Sequence, residues 1–126
     1  MPFRWTFSEQ EELVHVVGDG PVDLTAMVEA LFEVTGSAKY SPRWRVLVDL
    51  TEMEYEPGTQ EAVEVARVLR NARSLLEGGV AVVAPDGAFD LAEMAASMAS
   101  EGGLTIRAFK DPLAARAWLL SAEPKV

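Results

Sequence analysis

The chain has 126 residues, 49% hydrophobic and 25% charged, with 11 Lys and Arg against 20 Asp and Glu, one histidine and no cysteine. For a chain of this size, surface scaling gives a folded area of roughly 6,600 Å² against roughly 20,000 Å² unfolded, enough burial for one domain with its own core and no metal or disulfide staple. Disulfides, thiol nucleophiles and cysteine-based zinc sites are excluded, and within one chain so are sites that need two histidines. A net charge of −9 opposes nucleic acid and anionic membranes, which require a clustered basic face. The opening residues lack the apolar core of a signal peptide, and no run approaches the ~18 apolar residues of a membrane span, so the cytoplasm is the expected location.

Phe3, Trp5 and Phe7 alternate with polar residues, and a second apolar run over 13–17 follows the polar link 9–12. The pattern predicts an opening hairpin. Gly18, Asp19, Gly20 and Pro21 are expected to break the second strand. Leu24, Met27, Val28, Leu31 and Val34 then recur at helical spacing, predicting a helix over about 23–35 with Gly36 as its C-terminal cap. The nearly continuous apolar run over 44–50 reads as a central strand buried on both faces.

Beyond Pro57 and Gly58, the positions Val65, Val68, Leu69, Ala72, Leu75 and Leu76 form one stripe of a second helix. Gly78 and Gly79 end it, and 80–84 is a fourth strand. Leu91, Met94, Ala95, Met98 and Ala99 mark a third helix closed by Gly102 and Gly103, and 104–109 is a fifth strand. Asp111 before Pro112 is a helix start, with Leu113, Ala114, Ala117 and Trp118 as the expected buried stripe. The order β-β-α-β-α-β-α-β-α implies one α/β domain over 1–126, with a mixed, mostly parallel five-stranded sheet and four helices. Right-handed crossovers should join the second to fifth strands, with the first strand antiparallel at an edge. That edge is free to pair with a second copy in a homodimer. Chemistry is expected at the carboxyl ends of the parallel strands.

This layout, with the strand Arg45-Val46-Leu47-Val48-Asp49-Leu50-Thr51, the strand from Val80 to Ala84, and Phe109-Lys110-Asp111 followed by Ala117-Trp118-Leu119, resembles the STAS-like superfamily over essentially the whole chain. Within it, the chain is similar to the uncharacterised bacterial STAS/CRAL-TRIO-like branch, whose members end in a phenylalanine, an acidic helix cap and a Trp-Leu pair. The resemblance implies a SpoIIAA-like fold, that of the sporulation anti-sigma-factor antagonists, in which a serine or threonine opening the second helix is phosphorylated by a partner kinase. The matching stretch here, 51–61, lacks the Asp-Ser-Ser/Thr-Gly-like motif. Thr59 stands at the expected N-cap, but Glu52, Glu54, Glu56 and Glu61 crowd it with charge that opposes a phosphoryl group.

Asp49, Glu52, Glu54 and Glu56, with Thr59 and Asp86, form the expected partner-binding rim, an acidic edge suited to a basic protein. The run has no calcium-loop pattern, so no metal is assigned. Asp49 at a strand end and Lys110 at a later one resemble a response-regulator receiver, whose metal-dependent phosphoacceptor would be Asp49. The acidic pair and hydroxyl that a receiver needs are replaced by Gly18-Asp19-Gly20 and Ala84-Pro85. His15, with Leu13 and Val17 on its face, reads as a packed or edge histidine. Phe89, Met94, Met98 and Trp118 are the residues expected to line a pocket for an apolar or lipid-like ligand, between the third and fourth helices and the sheet. The leading expectation is a non-enzymatic regulatory or protein-interaction module with no cofactor.

Overall fold

A computed structural model describes residues 3–21, 23–54 and 58–121. The alternating aromatics form β1 (Phe3–Ser8), which pairs antiparallel with β2 (Leu13–Gly20), Phe3 opposite Gly18 and Ser8 opposite Leu13. Glu12 turns the hairpin at φ 49°, its N–H donating to the Glu9 carbonyl at 3.3 Å. β2 does not break at Gly18 as expected. A Cβ there would lie 2.9 Å from the side chains of both Phe3 and Leu50, so this glycine lets neighbouring side chains pack over the strand. The register against β3 then shifts between Val17 and Asp19.

β3 (Arg45–Met53) is longer than expected and runs into the acidic stretch. With β4 (Val80–Val83) and β5 (Ile106–Phe109) it extends the sheet in parallel, in the order β1-β2-β3-β4-β5. Successive strands add on the same side, and crossovers of one hand then carry α1 (Leu24–Thr35), α2 (Thr59–Asn71) and α3 (Phe89–Glu101) over one face. α4 (Pro112–Leu119) returns over the other. The side chains record this division by strand alternation. Val46, Leu50 and Val80 pack with Ala30, Ala66 and Ala96, whereas Leu47, Ala81 and Val83 pack with Ala115 and Leu119.

The helix ends follow local chemistry. Asp23 Oδ1 accepts from the Ala26 N–H at 2.8 Å, and Gly36 caps the other end of α1. The carboxylate of Asp111 accepts from the Leu113 and Ala114 N–H groups at 3.3 and 3.2 Å, with Pro112 at the first helical position. α2 departs from expectation: its N-cap is Gly58, and Thr59 is the first helical residue. Glu61 Oε1 reaches back to accept from the Gly58 N–H at 3.2 Å, which fixes the helix start one residue earlier.

Two buried stripes also differ from expectation. On α2 the buried residues are Ala62 and Ala66, and the helix ends before Leu75, which lies in a 3-10 turn (Arg73–Leu75) and is exposed. On α4 the buried residues are Ala115 and Leu119, while Leu113 is 76% exposed and Ala114 and Ala117 face solvent. Alanines bring the helices close to the sheet, and the larger residues flank the contact.

Candidate functional site

The parallel strands end together. Asp49 is in register with Val83 and Val83 with Phe109, so Asp49, Asp86 and Lys110 belong to one end of the sheet, but their side chains diverge. Asp49 turns onto the α4 face, its side chain only 16% exposed. Its Oδ1 accepts from the Thr51 N–H at 3.0 Å and the Thr51 hydroxyl at 2.7 Å. Its Oδ2 lies 3.9 Å from His15 Nε2. Asp49 is thus an inward carboxylate, not the outward rim group expected. Glu52 Oε2 lies 3.7 Å from Arg4 Nη2, and Asp19 Oδ2 lies 3.4 Å from Arg4 Nη1, which screens part of the rim. Glu54 and Asp86 are exposed, as is Thr59, and Glu56 lies outside the described residues. Lys110 Nζ sits 5.0 Å from the centre of the Phe89 ring.

The expected ligand pocket does not assemble. Met94 and Met98 pack on the α1–α3 face, whereas Trp118 packs on the α4 face, tilted against Phe109 with ring centres 5.8 Å apart. The sheet stands between them, because the last helix crosses to the side opposite the first three. Phe89, half-buried at the start of α3, lies at the strand-end rim.

An apolar cleft opens elsewhere. α2 packs along α3 but barely touches α1. The gap over the centre of the sheet has a volume of about 120 Å³, floored by Val46, Val48 and Val82 and walled by Leu31 of α1 and Val68 and Leu69 of α2. A second hollow of about 70 Å³ continues toward the strand ends, reaching Met53, Ala88 and Leu91, and shares Met27, Leu50, Val65, Leu69 and Val82 with the first. The floor carries the informative residues. Val48 and Val82 lie at the middle of the sheet yet are only half-buried, while Ala81 and Val83 on the opposite face are fully buried. Among the described residues lining the larger hollow, Thr35 is the one with a polar side chain, and its hydroxyl donates to the Leu31 carbonyl at 2.9 Å.

Sequence periodicity marked Val65, Val68 and Leu69 as a core stripe, but the gap beside them depends on the spacing of α1 from α2. Among the described residues, no group of three or more His, Asp or Glu side chains converges as a metal site. No helix among them is long and apolar enough to cross a membrane.

Sheet order, helix placement and the antiparallel edge hairpin give a SpoIIAA-like α/β fold. The crystal structure of an uncharacterised protein of the DUF3478 family from Shewanella loihica PV-4, described as having a SpoIIAA-like fold, is similar to this chain. It superposes with a TM-score of 0.59 over 93% of each chain at 16% sequence identity. No family profile and no curated protein matches the sequence.

Proposed function

We propose that this chain is a non-enzymatic binding module whose working surface is the apolar cleft between α1 and α2, and that its occupant is a small apolar or lipid-like ligand. The observation that carries this reading is the solvent-reachable floor formed by Val48 and Val82. Apolar side chains at the centre of a sheet are normally closed over, and each Å² left open forgoes roughly 25 cal/mol of burial. A guest covering them recovers that stabilisation. The larger hollow approaches the scale of an engineered apolar cavity of about 150 Å³ that takes up benzene. Among the described residues that line it, the Thr35 hydroxyl is spent on the Leu31 carbonyl, which suits binding and not covalent chemistry.

The test is native mass spectrometry of protein purified without detergent, together with titration by the neutral dye Nile red. The reading expects saturable dye binding that falls at least severalfold in Val65→Trp, a change that fills the cleft from α2. Equal dye binding by wild type and a folded Val65→Trp, with a bare protein mass, would contradict it.

A second reading has its own support. Glu54 and Asp86 face outward at the strand ends, and such a rim suits a basic protein partner by charge. The phosphoacceptor reading on Asp49 has less support, since one carboxylate oxygen is held by Thr51, the other faces His15, and Lys110 lies on Phe89.

A further inference from the structure

The cleft is elongated and its surroundings are charged unevenly. The two hollows share five side chains and together follow β3 from Val46 to Met53, a path of roughly 23 Å at ~3.3 Å per strand residue. At the start of that path, the buried Val34 and Leu76 line the cleft. There the Tyr40 hydroxyl donates to the Leu75 carbonyl at 2.5 Å, tying the loop after α1 to the turn after α2. At the other end, the lining residues are neighbours of acids. Glu54 follows Met53, Glu61 precedes Ala62, Asp90 precedes Leu91, and Asp86 lies two residues before Ala88. α1, which forms the side wall, carries Glu29 and Glu33 and no basic residue.

Positive contributions at the same end are smaller. The amino ends of α2 and α3 supply about half a charge each, and Lys110 lies against the Phe89 ring. Arg4 is engaged by Asp19 and Glu52. Among the described residues at this end, the carboxylates of Glu54, Asp86 and Asp90 outweigh two half charges and one ammonium. An apolar tail therefore fits along the cleft, and a head group left at the mouth meets negative potential.

Resting on the reading of the cleft as a ligand site, we infer that its ligand class is single-chain amphiphiles with a cationic or neutral head, and that the Glu54 and Asp90 end of the cleft discriminates against anionic ones such as fatty acids. The tail supplies the shared affinity and the mouth supplies the selectivity.

Three ten-carbon probes separate these contributions: decyltrimethylammonium, decanol and decanoate, each titrated calorimetrically below its micelle concentration at pH 7 and low salt. The cation is expected to bind about tenfold more tightly than decanoate, with decanol between them. Glu54→Gln with Asp90→Asn should reduce the ratio severalfold. Glu77→Gln with Glu101→Gln, the same charge change at exposed positions near the opposite end of the sheet, should leave the ratio unchanged. Equal binding of all three probes, or an equal effect of the two variant pairs, would overturn the head-group assignment and leave the cleft intact. Absence of binding by all three would remove the cleft reading and the inference with it.

Discussion

His15 Nε2 is closed to solvent, makes no hydrogen bond, and stops 3.9 Å from Asp49 Oδ2. β2 and β3 bring the two residues together through their parallel register, Val17 opposite Asp49 and His15 opposite Leu47 on the same sheet face. An unpaired buried polar atom costs about 1–3 kcal/mol relative to a satisfied one. The histidine is therefore a poor stabiliser of this strand. His15→Val places a strand-forming residue there without the orphaned nitrogen. Urea unfolding should show stability unchanged or raised by up to about 1 kcal/mol. A loss above that size would mean that the contact with Asp49 contributes to the fold.

Gly78 is required by a close backbone approach. A Cβ at this position would lie 2.2 Å from the Trp44 carbonyl oxygen and 2.4 Å from that of Arg43, while a Cβ at Gly87 would meet nothing within 4 Å. Backbone carbonyls cannot rotate aside as a flexible side chain does. Gly78→Ala should therefore cost on the order of 3 kcal/mol. Gly87→Ala should stay within about 0.5 kcal/mol of wild type. Thermal unfolding of the pair checks this, and similar midpoints for both variants would contradict the observed packing of the loop before β4.

Tyr40 gives the protein an alkaline signature. Burial pushes its hydroxyl up to about 12 from an ordinary value of 10.0. The unfolded chain releases this proton at lower pH than the folded chain does. This contribution is constant below pH 10, falls as the pH rises toward 12, and levels off above that. Tyr40→Phe removes the titration together with the hydrogen bond to the Leu75 carbonyl, and should cost about 1 kcal/mol at neutral pH. The stability difference between wild type and Tyr40→Phe should shrink between pH 10 and 12. A difference that stays constant across that interval would show that the hydroxyl is not desolvated.

The architecture was legible because its signals are local. Asp23, Asp111 with Pro112, Gly36 and Gly102 mark helix ends through hydrogen bonds to nearby backbone, and the alternation of Phe3, Trp5 and Phe7 marks a strand by itself. The buried helix faces were less legible, because periodicity is read from large apolar residues. Leu113 and Leu75 fit the apolar stripes by spacing, whereas Ala115, Ala62 and Ala66 hold the contacts. Thr59 resembled a cap through its hydroxyl, but Glu61 capped Gly58 instead.

The candidate site was less legible still. Asp49 and Glu52 share a sequence run, yet strand alternation and the register shift after Val17 send one inward and pair the other with Arg4. Met94 and Trp118 lie on different faces because the closing helix crosses the sheet. The gap above Val48 arises from the separation of two helices, a tertiary quantity that no residue spacing encodes.

The most direct test of the cleft is methyl NMR of protein labelled at valine and leucine and titrated with decanol. Shifts should concentrate at Val48, Val82, Leu31 and Leu69, with little change at Leu119 on the buried face of α4 or at the exposed Leu113. Perturbation centred on Leu119 and its neighbours, or no perturbation at Val48 and Val82, would contradict the account.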